Sequence, residues 1–90
     1  MQTEPLPVLS QHDYPSFYQL MPKQLPEEFK HWEYLHWSEK VRHEGMLHIV
    51  KEQPVFSAEY IVYCRETGSD YNLTSLRNFA IVKAKRQEGR

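Results

Sequence analysis

The chain is poor in the residues on which most small-domain chemistry depends. It has one cysteine, Cys64, and three scattered glycines, Gly45, Gly68 and Gly89. A lone cysteine excludes an intrachain disulfide and any multi-cysteine zinc site. Glycines this far apart build no phosphate-cradling loop. No apolar stretch approaches the roughly 18 residues that a membrane helix needs, and no charged-then-apolar leader opens the chain. By elimination, a cytoplasmic protein with no membrane contact is expected.

Metal and catalytic constellations are also missing. The five histidines are His12, His31, His36, His43 and His48. His31 and His36 are five apart, about 140° round a helix, so they do not chelate one ion from one face. His36 and His43 share a stripe but lie two turns apart. No Asp-x-Asp or Cys-x-x-Cys supplies a second half-site, so neither metal nor cofactor is expected. Cys64 falls on the apolar phase of an expected core strand, where a thiol acts as a small hydrophobe. Without a glycine-rich turn beside it for an oxyanion hole, it makes a poor nucleophile. The expectation is that this is not an enzyme.

What the chain does have is ordinary globular composition with many aromatics: 40% hydrophobic, 26% charged and 13% aromatic over 90 residues. That describes one small soluble domain whose core leans on large rings. The net charge of −1 conceals an asymmetry. From Arg77 onward five cations face Glu88 alone, a balance of +4, which leaves −5 on the residues before it. A basic end on an acidic body suits a nucleic-acid or partner contact. The plainer reading is a solvated helix with cations at its carboxyl end.

The organising stretch is Val55 to Glu66, the densest run of β-branched and aromatic residues, bounded by Gln53-Pro54 and Thr67-Gly68-Ser69-Asp70. It reads as a strand with Phe56, Ala58, Tyr60, Val62 and Cys64 on its core face. Val62→Asp is therefore expected to unfold the domain.

Residues 1–24 read as a proline-rich arm carrying a short amphipathic segment, and 25–90 as the α+β domain proper. Five of the six prolines precede residue 27. Within the arm, Asp13 is placed to cap a short helix, with Tyr14, Phe17, Tyr18 and Met21 at i, i+3, i+4 and i+7. That stripe docks into a partner's groove or packs over the chain's own sheet.

Pro26-Glu27-Glu28 opens a helix that runs through His43 and stops before Gly45. The competing reading makes 35–42 a strand. As a helix it places Phe29, Trp32, Leu35, His36 and His43 on one face and Tyr34, Trp37 and Val41 nearly opposite. Residues 46–52 form a short strand, joined to Val55–Glu66 by a hairpin at Glu52-Gln53-Pro54. Residues 73–88 suit a helix, capped by Asn72 or Thr74 and stopped at Gly89, or else a strand. The expected fold is α+β: a helix, an antiparallel β-hairpin or three-stranded sheet, and a C-terminal helix or strand.

Abundant Tyr, Trp, Phe and Met with no catalytic apparatus point to a non-catalytic accessory or regulatory module that binds another protein. The contact residues expected are Tyr14, Phe17, Tyr18, Met21 and Trp37, with a homodimer among the partners considered. The alternative is a nucleic-acid-binding regulator using Arg77, Lys83, Lys85 and Arg86. Against it stand the acidic body and a pI near 6.5.

Overall fold

A computed structural model describes residues 3–88. Six elements follow in order: β1 (Thr3–Val8), α1 (Tyr14–Leu20), α2 (Phe29–Gly45), β2 (Ile49–Pro54), α3 (Ser57–Thr67) and α4 (Leu73–Glu88). β1 and β2 form a two-stranded parallel sheet, in register from Thr3 against Ile49 to Val8 against Pro54. The overall class is α+β, but the expected antiparallel hairpin is absent among the described residues. Parallel neighbours need a long crossover, and α1 and α2 supply it.

The strand expected over Val55–Glu66 is a helix from Ser57 onward. Ser57, Tyr60 and Cys64, at i, i+3 and i+7, are buried, whereas Phe56 and Val62 are about half exposed. Strand propensity is a weak local preference that tertiary packing overrides. Gly68, taken from sequence as part of a turn, ends this helix in the left-handed conformation at φ 69°. The Gly68 and Ser69 amides both donate to the Cys64 carbonyl.

The segment 73–88 is a helix, as is 35–42 within α2. Asn72 caps α4: its Oδ1 accepts from the Ser75 amide at 2.8 Å. The stop assigned to Gly89 lies outside the described residues. α2 begins at Phe29, three residues after the expected start at Pro26, because Glu28 is still extended (φ −100°, ψ 135°), and it includes Gly45, before which the helix was expected to stop.

Residues 3–8, read as part of the arm, are half of the sheet. The Val8 carbonyl accepts from the Val55 amide at 3.1 Å. Backbone groups alternate sides along a strand, so Glu4, Leu6 and Val8 address β2 while Pro5 and Pro7 face away. Pro54 in β2 likewise faces away from β1. Each proline therefore sits where its missing donor breaks no bond of the ladder.

The core gathers Leu9, Tyr14, Phe17, Met21, Leu25, Val55, Tyr60, Cys64, Leu76, Phe79 and Ala80. Phe17 packs on Tyr60 with ring centroids 5.9 Å apart, and Phe79 contacts Tyr60 at 6.1 Å. The Tyr60 hydroxyl is 2.6 Å from Ser75 Oγ and accepts from the Asn72 amide at 3.1 Å. Burial above all pushes the Tyr60 phenol up to about 12. No described buried side-chain polar atom lacks a partner.

Candidate interaction surface

α2 is held from one side only, and none of its residues is fully buried. Its inner face is a ladder of rings. Tyr14 meets Phe29 edge-on at 5.5 Å, Phe29 stacks on Trp32 at 5.5 Å, and Trp32 stacks on His36 at 5.0 Å. The Tyr14 hydroxyl donates to the Pro26 carbonyl, and burial raises its pKa. This staples the approach to α2 onto α1.

Further along, Glu39 is a charged hub. Its Oε1 receives Arg42 at 2.7 Å, His43 at 3.2 Å and Arg77 of α4 at 3.2 Å. Burial works against ionisation here, but the His43 hydrogen bond and the charges of Arg42 and Arg77 outweigh it. The Glu39 pKa therefore lies below its ordinary value. His36 and Lys40 reach Glu52 on β2, at 3.2 and 3.9 Å. The carboxyl end of α2 turns through Leu47 at φ 63°, which returns His48 to His43 with Nδ1 atoms 3.4 Å apart. A non-glycine residue in that region is strained.

The outer face of α2 has no such partners. Tyr34 is 62% exposed, Trp37 58% and Val41 44%, at i, i+3 and i+7. Tyr34 and Trp37 touch each other at 6.2 Å. Met46, Leu47 and Ile49 continue the exposed apolar residues beyond the helix. Single exposed apolar side chains are ordinary, but a run along one stripe of one helix is not.

Of the contact residues expected from sequence, Tyr14, Phe17 and Met21 lie in the core and Tyr18 packs against it. The α1 stripe thus covers the chain's own interior, leaving Trp37 as the fully presented one. Sequence reasoning placed Tyr34 and Val41 on the Trp37 side of the helix but did not include them in the surface; the shared spacing was the signal.

The four cations considered for nucleic acid do not gather. Lys83 and Arg86, three apart, share the side of α4 that faces α3, whereas Arg77 and Lys85 lie on two other sides. Arg77 is tied to Glu39, and Lys83 to Glu59 at 2.6 Å with its ammonium 4.5 Å from the Phe56 ring centroid. Lys85 and Arg86 are exposed. Cys64 is buried. Among the described residues no group of three or more His, Cys, Asp or Glu is arranged to hold a metal ion. No helix among them is long and apolar enough to cross a membrane.

A cleft of about 170 Å³ opens between α2 and α4, walled by Leu25, Trp32, Leu35 and Leu76 with the Glu39–Arg77 pair beside them. Small-molecule sites are usually ~300 Å³ or larger, and this cleft is below that size. No family model, curated protein or solved structure matches the chain.

Proposed function

We propose that the chain is a non-catalytic protein-binding module whose contact surface is the outer face of α2. The observation that carries this reading is the exposed Tyr34–Trp37–Val41 stripe. Large aromatic residues anchor interfaces because each removes much apolar area from water at little rotamer cost. The inner face supports the reading too: the ring ladder and the Glu39 hub hold α2 rigid, so the stripe is presented in one orientation. Preorganisation of that kind lowers the cost of association.

A photo-crosslinking residue placed at position 37 tests this in cells of the native host, with the same residue at the exposed Arg65 on α3 as control. Protein adducts are expected at position 37 and not at 65. Equal yields at both positions, or none at 37, would remove α2 from the function.

A further inference from the structure

Resting on that reading, we infer that the partner of the α2 outer face is a second copy of this chain, laid antiparallel across it with the two-fold axis at Trp37. The argument is the order of charges along the stripe. Lys30, Glu33 and Glu44 are exposed, and Lys30 and Glu44 form no ion pair among the described residues. Lys30 lies one turn before Tyr34 on the same stripe, and Glu44 lies one turn beyond Lys40.

In an antiparallel pair the same flanks of the two helices meet, in reversed order. With Trp37 against Trp37 at the axis, Tyr34 then falls opposite Val41 of the second copy. Lys30 and Glu44, seven residues either side of Trp37 and so about 20° off its line, meet across the seam, and Glu33 falls beside Lys40. Each contact occurs twice by symmetry, which is the self-complementarity that a two-fold interface requires. The parallel arrangement fails the same test, because it sets Lys30 beside Lys30. An unrelated partner gives no reason for the stripe to carry its own countercharges at matching distances from Trp37.

The area involved is modest. α2 is 17 residues long, which is about 25 Å at the usual rise. A contact along one helix sits at the small end of specific interfaces, so a dissociation constant on the order of micromolar is expected.

Sedimentation equilibrium over a wide concentration range is the test, with circular dichroism to confirm that each variant is folded. The wild-type chain should pass from monomer to dimer. Lys30→Glu alone, or Glu44→Lys alone, should raise the dissociation constant about tenfold, since each creates two like-charge contacts. An equimolar mixture of the two variants should associate again, as each supplies the charge that the other lacks. The double variant Lys30→Glu/Glu44→Lys should also recover. Trp37→Ala should weaken association about thirtyfold or more.

A wild-type chain monomeric at millimolar concentration overturns the proposal, as does a mixture no tighter than either variant alone. If the wild type is monomeric while position 37 crosslinks to a different protein, self-pairing falls and the binding-module reading stands. If position 37 gives no adduct at all, the module reading falls with it.

Discussion

Asp13 and Ser57 are 44 residues apart in the chain and joined twice: the Asp13 carboxylate accepts from the Ser57 amide at 2.7 Å and from its hydroxyl at 2.6 Å. Asp13 stands at the start of α1, where sequence placed it as a cap, yet its side chain makes no capping bond there. It caps α3 instead. One carboxylate thus satisfies an orphan donor at the first turn of a distant helix and favours the positive end of its dipole.

Replacing that carboxylate tests the arrangement. Asp13→Ala should destabilise the fold by about 1–3 kcal/mol, the range for a lost cap with charge-assisted hydrogen bonds. Ser57→Ala keeps the amide bond and should cost less. A double-mutant cycle by urea denaturation should give a coupling energy well above zero; additive losses would mean that the two residues act independently.

Val62 separates the two readings of the third helix. It is 49% exposed, so Val62→Asp should change stability by no more than about 0.5 kcal/mol. Phe17→Ala, at the centre of the core, should cost about 3–5 kcal/mol. A strand with Val62 inward demands the opposite ranking, and thermal melts of the two variants distinguish them.

Tyr60 makes the fold sensitive to alkali. Its phenol is held neutral in the folded state, with a pKa pushed up to about 12 from 10.0. An acid whose folded pKa is raised gives stability that is complete below the unfolded pKa and disappears as pH climbs through the folded one. Denaturation midpoints should therefore fall between about pH 10 and 12. The Tyr60→Phe variant should lose less over that interval. Equal losses in the two proteins would assign the alkaline limb to other groups.

Glu39 acts at the acid end. Its folded pKa is lowered, so its contribution is present above the unfolded value of 4.5 and is lost as pH falls through the folded one. Glu39→Gln should be less stable than wild type at neutral pH by about 1 kcal/mol, given partial exposure. The gap should close under acid and narrow with added salt. A gap that persists at low pH would show that the glutamine is simply a poorer fit.

Local chemistry explains what sequence made legible. The first turns of α1 and α4 are marked by Asp13 and Asn72, and the two faces of α2 follow from a period that separates Trp32 from Trp37. That same separation puts Trp37 on the exposed side. The third helix was hidden because Tyr60 and Cys64 are four apart, a spacing in phase with both a strand and a helix. Val62 is the residue that discriminates, and its β-branched side chain favoured the wrong side. Strand pairing was hidden for another reason. β2 is adjacent to Val55 in sequence, but its ladder partner lies on the far side of two helices, and no local rule announces such a partner.

The placement of the three strand prolines also governs what the sheet refuses. The outward border of β1 offers carbonyls at Pro5 and Pro7 but no amide at either. An arriving strand finds acceptors there without donors, and half of its own carbonyls stay unanswered. The chain therefore cannot be lengthened from that side into a ribbon of stacked copies. β1 discourages edge-to-edge growth with the same prolines that leave its single ladder intact.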